Sequence, residues 1–116
     1  NWSIGTGQIG SETEFTFTVG TSIMHMLIGD AVETLTKVPA EAVDAIFWDP
    51  FSPKPHPELW TQSEFKKAYT VLKKGGIFAT YSYARIVRDG LKNVGFDVRD
   101  GPIVGRRCPS TLGFKV

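Results

Sequence analysis

The sequence has few of the residue types that build disulfide bonds and metal sites. Cys108 is its one cysteine, so no disulfide can form within the chain, which fits a reducing compartment such as the cytoplasm. No Cys/His/Asn signature accompanies Cys108, and we interpret it as structural rather than nucleophilic. The two histidines, His25 and His56, stand in no metal-ligand motif, so we expect no metal site.

Long hydrophobic runs are also absent. The longest, such as AIFW at 45–48, are far shorter than the ~20 residues of a membrane-spanning helix, so we expect no membrane partner. A length of 116 residues suits one domain with one core. The chain begins at Asn1 rather than at a methionine, and we expect it to be a fragment or a processed product.

The net charge of +1 conceals an asymmetry between the two halves of the chain. Residues 1–50 carry one base and seven acids, whereas residues 51–116 carry twelve bases and five acids. A basic half can attract polyanions, and an acidic half can bind cations or hydroxyl groups. The asymmetry is explained equally well by ordinary charged side chains in solvent, unless the basic residues share one face of the folded protein.

Hydrophobic periodicity predicts an alternation of strands and helices. Predicted strands cover residues 14–19, 23–28, 43–48, 77–81, 96–99 and 111–116. Gly20 and Thr21 are predicted to turn the chain between the first two strands. Two predicted helices begin at Asp30 and Thr61, each followed by glutamate three residues later, and the second ends with Lys73 and Lys74. A third predicted helix covers residues 83–94, and its inward-facing residues are Ile86, Val87, Leu91 and Val94. Such alternation favours an α/β fold with a mostly parallel sheet, closed by an antiparallel C-terminal edge hairpin.

The N-terminal stretch GTGQIG, residues 5–10, matches the G-x-G-x-x-G fingerprint of dinucleotide-binding proteins. That fingerprint requires a strand before it and a helix after it, and neither is predicted here. We therefore interpret residues 1–12 as a flexible loop, and the missing context argues against a nicotinamide oxidoreductase.

Three predicted strands end in small or polar residues, at Gly29-Asp30, at Asp49 and at Ser82. In open α/β sheets ligands bind beyond the carboxyl ends of the strands, so we expect these ends to meet at one edge. Gly29 would let a flat ring approach the backbone, and Asp30 could accept a hydrogen bond from an exocyclic amine. Asp30 could equally serve only to cap the following helix.

Asp49 is the sharpest candidate because it ends the apolar run VDAIFW, which we expect to be a strand covered on both faces. A carboxylate there would be partly desolvated and would need a partner or a function. Prolines at 50 and 53 restrict the following loop and would hold Asp49 and Phe51 in one arrangement. The carboxylate could then accept a hydrogen bond from an amine while Phe51 stacks on its ring.

Several short motifs occur in an order that resembles the MnmC-like methyltransferase domain. This domain is the methyltransferase module of the tRNA wobble-uridine enzyme that completes 5-methylaminomethyl-2-thiouridine. The motifs are LIGDAVETL (27–35), VDAIFWDPFSP (43–53), PELWTQSEF (57–65), GGIFATYS (75–82), VRDGL (87–91), VGFDV (94–98) and GRR (105–107).

This resemblance implies a Rossmann-like class I fold, S-adenosylmethionine as cofactor, and methyl transfer to the primary amine of 5-aminomethyl-2-thiouridine in tRNA. It implies that Gly29, Asp30 and Ala31 lie near the adenine, and that Asp49 and Phe51 face the target amine. Substrate and RNA contacts are implied for Pro50, Lys54, Arg85, Arg88, Arg106 and Arg107. An oxidoreductase domain, fused or separate, is the implied partner besides tRNA.

Two departures from the family pattern keep alternatives open. Pro50 stands where the family usually has glycine, which leaves open another amine acceptor. The family's first strand and glycine-rich turn would precede residue 1, so we expect residues 1–116 to be a partial domain, inactive outside its parent protein. A non-catalytic module for RNA binding or assembly is the alternative from a different functional class.

Overall fold

The chain forms two compact units, Asn1–Thr34 and Leu35–Val116. The computed structural model describes residues 3–9, 12–50, 57–103 and 108–116, with side chains from residue 15 onward. Among the helices described, none has the length and hydropathy needed to cross a membrane.

The first unit is an antiparallel sheet of three strands in sequential order, followed by a single helical turn. Its elements are β1 (Ser3–Ile9), β2 (Glu12–Val19), β3 (Ser22–Ile28) and α1 (Ala31–Thr34). Gly20 has φ of +59° and turns β2 into β3 through two residues, as the sequence predicts. Such a tight hairpin favours glycine because the turn requires a positive φ.

Two predictions about this unit are wrong. Residues 3–9, expected in a loop, form β1, which pairs with β2 from Ser3 opposite Thr18 to Ile9 opposite Glu12. The ladder bonds come from the backbone, so the glycines of β1 do not prevent pairing with the long alternating strand β2. The end of β3, expected to meet the ends of the later strands at one edge, belongs to a separate three-stranded sheet, in which β3 pairs antiparallel with β2 across a two-residue turn.

The second unit is a four-stranded sheet in the order β4-β5-β7-β6 with helices between its strands. Its elements are β4 (Val43–Phe47), α2 (Gln62–Val71), β5 (Leu72–Thr80), α3 (Arg85–Asn93), β6 (Asp97–Asp100) and β7 (Thr111–Phe114), with short 3-10 turns at Leu35–Lys37 and Pro57–Trp60. β4 and β5 are parallel, and β7 runs antiparallel to both β5 and β6. β4, β5 and β6 therefore point the same way, which confirms the predicted α/β class and the antiparallel C-terminal hairpin.

Helix α2 begins as predicted and ends earlier than predicted. The Thr61 hydroxyl accepts the Glu64 backbone N–H at 3.4 Å and caps the first turn. We expected the helix to continue to Lys73 and Lys74, yet Leu72 already opens β5. The Lys115 ammonium from the end of β7 donates to the carbonyls of Tyr69 and Leu72 at 2.8 and 2.7 Å, so a distant residue satisfies the helix end.

Helix α3 turns Val87 and Leu91 into the core, where both are fully buried. Ile86 was predicted to face inward with them, and it is instead 72% exposed. Successive helix positions differ by about 100°, so a face containing residues 87 and 91 excludes residue 86.

Aromatic rings form most of the core between the second sheet and its helices. Phe78 packs against Trp48, Phe65 and Phe96, with ring centroids 5.5, 6.0 and 5.4 Å apart. We expected β4 to be covered on both faces, yet Phe47 is 81% exposed while its neighbours Ile46 and Trp48 pack on the core. Alternation along the strand sends these side chains to opposite faces, and helices of the described structure cover one of them.

Replacing Gly90 by alanine tests the contact between α2 and α3. Alanine in a helix is ordinarily more stable than glycine by about 1 kcal/mol. Here the new Cβ would lie 2.9 and 3.0 Å from two ring carbons of Phe65, which is fully buried and cannot easily move. Overpacking against Phe65 costs about 1–3 kcal/mol, so after the helical gain we expect Gly90→Ala to lower the free energy of unfolding by about 1 kcal/mol in denaturant titration.

The matched control is Lys92→Ala on the exposed side of the same helix, which should change stability by no more than about 0.5 kcal/mol. Gly90→Ala matching this control, or exceeding the wild type in stability, would contradict the close packing.

Candidate functional site

A cleft of about 330 Å³ lies where β4 and β5 end. β4 and β5 contribute their carboxyl ends, and the start of β7 and the connection before it close the opposite side. The lining residues are Phe47, Asp49, Ala79, Thr80, Tyr81, Pro102, Ser110 and Leu112. Two of the three strand ends selected from the sequence, those at Asp49 and Ser82, therefore meet at one edge of the sheet as predicted.

Asp49 follows directly on the last backbone bond between the parallel strands. That bond runs from the Trp48 N–H to the Ala79 carbonyl at 2.8 Å. The Asp49 Oδ1 atom then accepts the backbone N–H of Tyr81 at 3.4 Å. The carboxylate is exposed rather than desolvated, which corrects the sequence-based expectation, because Asp49 points away from the core that Trp48 enters.

Tyr81 holds the segment after Asp49 and was not selected from the sequence. Its hydroxyl donates to the Pro50 carbonyl at 3.1 Å, and its ring meets Trp60 edge to face at 6.1 Å. Trp60 is buried, so the contact connects the cleft to the core. The sequence signal for Tyr81 is its position at the end of the strand IFATY, directly before Ser82.

Ser82 has a structural role rather than a role in the cleft. Its side chain is buried, and its hydroxyl accepts the Ala84 N–H at 3.3 Å just before α3. Its carbonyl accepts the hydroxyl of Thr111 at 2.6 Å, which joins the end of β5 to the start of β7.

Gly29, Asp30 and Ala31 lie at the exposed end of β3 in the first unit, on a sheet different from that of Asp49. The Asp30 Oδ1 atom accepts the Val32 N–H at 3.0 Å, and its backbone carbonyl accepts those of Glu33 and Thr34 at 2.9 Å. Asp30 therefore caps α1. A carboxylate can accept about four hydrogen bonds, so the cap leaves capacity for a ligand.

The predicted RNA-contacting arginines on α3 differ in their surroundings. Arg85 is 94% exposed in its side chain and lies 4.0 Å from Asp89, one helical turn away. Arg88 is only 16% exposed in its side chain and forms a 2.7 Å ion pair with Asp100. The other predicted residues Phe51, Lys54, Arg106 and Arg107 lie outside the described residues.

The described lining of the cleft combines one negative carboxylate with neutral side chains. Asp49 is the charged member of the eight described lining residues, and Thr80, Tyr81 and Ser110 add hydroxyl groups. Such a site fits an amine or the positive sulfonium of S-adenosylmethionine. The carboxylate of that cofactor needs a cationic or N–H donor, and the described side chains of this cleft supply no cation.

Comparison with known proteins identifies the fold and the family. The profile of the S-adenosyl-L-methionine-dependent methyltransferase family matches residues 5–116. The chain belongs to this family. The resemblance seen in the sequence is thereby confirmed, together with S-adenosylmethionine as the cofactor on which these methyltransferases depend.

Several curated relatives are named tRNA 5-methylaminomethyl-2-thiouridine biosynthesis bifunctional protein MnmC. The protein from Ralstonia nicotianae is 38% identical over 96 residues, covering 83% of this chain and 14% of its own length. The protein from Marinomonas sp. is 41% identical over 90 residues, covering 78% of this chain and 13% of its own length. This methyltransferase chain thus spans about a seventh of these relatives.

The solved structure of MNMC2 from Aquifex aeolicus shares the fold. It aligns with a TM-score of 0.67 and 32% sequence identity, covering 74% of this chain and 28% of the other. The Rossmann-like methyltransferase class predicted from the sequence is therefore correct.

Removing the Tyr81 hydroxyl tests its hydrogen bond to the Pro50 carbonyl. Tyr81→Phe should lower the free energy of unfolding by about 0.5–1 kcal/mol, the lower part of the usual range, because water can replace the bond at this partly exposed site. Tyr81→Ala should cost more because it also removes the contact with Trp60. Denaturant titration measures both changes.

Tyr83→Phe is the control, since the described structure gives the Tyr83 ring a contact with Arg88 and no hydrogen bond to its hydroxyl. Equal stabilities for Tyr81→Phe, Tyr81→Ala and the control would show that Tyr81 does not hold this segment.

Proposed function

We propose that the protein containing this chain transfers a methyl group to the primary amine of 5-aminomethyl-2-thiouridine at the wobble position of tRNA. The observation that carries the proposal is the exposed carboxylate of Asp49 in the cleft at the ends of β4 and β5. The names of the MnmC relatives, which concern biosynthesis of the methylated nucleoside, support this choice of acceptor.

Asp49 acts on the attacking nitrogen. A free alkyl amine has a pKa of about 10, and only its neutral form has the lone pair that attacks. As nitrogen bonds to the methyl carbon, the bond from that carbon to the cofactor's sulfur would break, and S-adenosylhomocysteine would leave. Nitrogen would become positive in this step, and the Asp49 carboxylate would stabilise that charge and orient the lone pair. The methylammonium product would then lose a proton to water. The Tyr81 N–H holds one carboxylate oxygen, which leaves the carboxylate further capacity for the amine.

S-adenosylmethionine supplies the electrophilic methyl group when it is bound. Gly29, Asp30 and Ala31 lie near its adenine in this proposal, where Asp30 accepts from the exocyclic amine while it caps α1. Asp49 adds negative charge beside the sulfonium. The family profile spans residues 5–116 and so includes both compact units, which supports their assignment to one partial methyltransferase domain.

Contacts with RNA phosphates are proposed for Arg85, Lys54, Arg106 and Arg107, with Pro50 and Phe51 beside the flipped-out base. Arg85 is exposed and therefore available to a phosphate. A tRNA substrate places the reaction in the cytoplasm. The relatives are described as bifunctional, and we infer that an oxidoreductase domain accompanies the methyltransferase in the parent protein.

One observation favours a second acceptor, an amine other than that of the wobble uridine. The Pro50 carbonyl accepts a hydrogen bond from the Tyr81 hydroxyl. Pro50 also stands where MnmC-like methyltransferase domains usually have glycine. A stiffer segment beside Asp49 alters the shape available to the acceptor. Comparing methyl acceptance by undermodified tRNA and by free alkyl amines separates the two functions.

Replacing Asp49 by asparagine tests the proposed role directly. Asparagine keeps an oxygen for the Tyr81 N–H and removes the negative charge, so the fold should persist while kcat falls about 100-fold or more. The measurement is methyl transfer to undermodified tRNA by the full-length protein at saturating S-adenosylmethionine.

Asp44→Asn provides the matched control, because Asp44 lies on β4, the strand that leads to Asp49, is exposed, and pairs with Lys73 at 3.6 Å. This control should retain the wild-type rate. Wild-type turnover by Asp49→Asn would remove Asp49 from catalysis.

A further inference from the structure

Arg88 has an unusually complete set of partners for an arginine of a surface helix. Its NH1 atom lies 2.7 Å from Asp100 Oδ1, its Nε atom donates to Thr111 Oγ1 at 3.0 Å, and its NH2 atom donates to the Ser110 carbonyl at 3.2 Å. The guanidinium also lies 4.1 Å from the centre of the Tyr83 ring. Because all three nitrogens are engaged, Arg88 is poorly placed to bind an RNA phosphate.

The polar partners of Arg88 belong to both ends of the connection between β6 and β7. Asp100 is the last residue of β6, Ser110 immediately precedes β7, and Thr111 is its first residue. A single side chain from α3 therefore joins the two ends. Thr111 in turn donates to the Ser82 carbonyl, which extends the network to the end of β5.

Backbone hydrogen bonds close the same region. The Gly101 N–H donates to the Ser110 carbonyl at 2.8 Å, and the Ser110 N–H donates to the Pro102 carbonyl at 3.1 Å. The Ser110 carbonyl that receives the Gly101 N–H is also the acceptor for Arg88. Loss of the guanidinium should therefore loosen these backbone bonds as well.

This region forms one wall of the cleft that contains Asp49, since Pro102 and Ser110 both line it. We propose that Arg88 is a positioning residue that fixes the wall formed by Pro102 and Ser110 opposite Asp49 and so sets the space for the methyl acceptor. The effect of Arg88 on catalysis rests on the proposed function, whereas its effect on the ordering of this wall does not.

Arginine is suited to this task because its planar fork reaches three acceptors in different directions. A lysine could keep the ion pair with Asp100 while losing the simultaneous bonds to Ser110 and Thr111. The conservative variant Arg88→Lys should consequently be intermediate between the wild type and Arg88→Ala.

The test combines hydrogen exchange with kinetics in the full-length protein, using Arg88→Lys and Arg88→Ala. In Arg88→Ala, amide exchange at Gly101 and Ser110 should accelerate about tenfold, the effect expected when one charged hydrogen-bond network is lost. The KM for undermodified tRNA should rise by a similar factor, while the Kd of S-adenosylmethionine from calorimetry stays within about twofold of wild type. Arg88→Lys should show smaller changes of the same kind.

Arg99→Ala is the matched control, since Arg99 lies on β6 and pairs with Asp97 on the same strand at 2.9 Å. It should leave amide exchange at Gly101 and Ser110 and the KM unchanged. Should Arg88→Ala fail to fold, Arg88→Lys and Asp100→Asn provide the same comparison with smaller perturbations.

Unchanged exchange at both amides would overturn the anchoring role, whatever the activity. Faster exchange with an unchanged KM and kcat would overturn the link to the acceptor. Absence of methyl transfer to tRNA by the wild type would instead overturn the proposed function and the acceptor role together, while exchange would still decide whether Arg88 orders the wall.

Discussion

The site depends on how the parallel strands β4 and β5 end. The Trp48 N–H donates to the Ala79 carbonyl at 2.8 Å, and the Tyr81 N–H then donates to the Asp49 carboxylate at 3.4 Å. Together these bonds place a carboxylate at the edge of the sheet. A negative charge fixed before the reaction stabilises a developing positive charge without the cost of reorganising solvent, which is the contribution we assign to Asp49.

The core supports this arrangement through the residue next to Asp49. Trp48 packs on Phe78, and its indole N–H donates to the Leu59 carbonyl at 3.1 Å. Because neighbouring residues of an extended segment point to opposite faces, a Trp48 side chain that packs on the core sends Asp49 outward. Tyr81, at the end of the neighbouring strand β5, also connects the site to the core. Its N–H donates to Asp49, and its ring packs edge to face against Trp60. Residues of the core therefore position one side of the cleft through Trp48 and Trp60, and Arg88 orders the opposite wall.

Local signals predicted much of the second unit. The Thr61 cap, the order of strands and helices, the antiparallel hairpin and the place of Asp49 at a strand end all follow from short stretches of sequence. What could not be predicted depends on residues far apart in the chain. Lys115, which follows β7, donates to a carbonyl at the end of α2. Arg88 binds both ends of the β6–β7 connection, and β1 is a strand because β2 pairs with it. The exposed Phe47 shows the same limit, since an apolar run does not reveal which of its faces is covered.

The most direct test of the central claim is a crystal structure of the full-length protein with S-adenosylhomocysteine, the product of methyl transfer. We predict that the sulfur of this product opens into the cleft of Asp49, with the carboxylate facing the space beside the sulfur where the amine must stand. A sulfur that faces another surface, or an Asp49 side chain bound to an internal partner away from that space, would contradict the account.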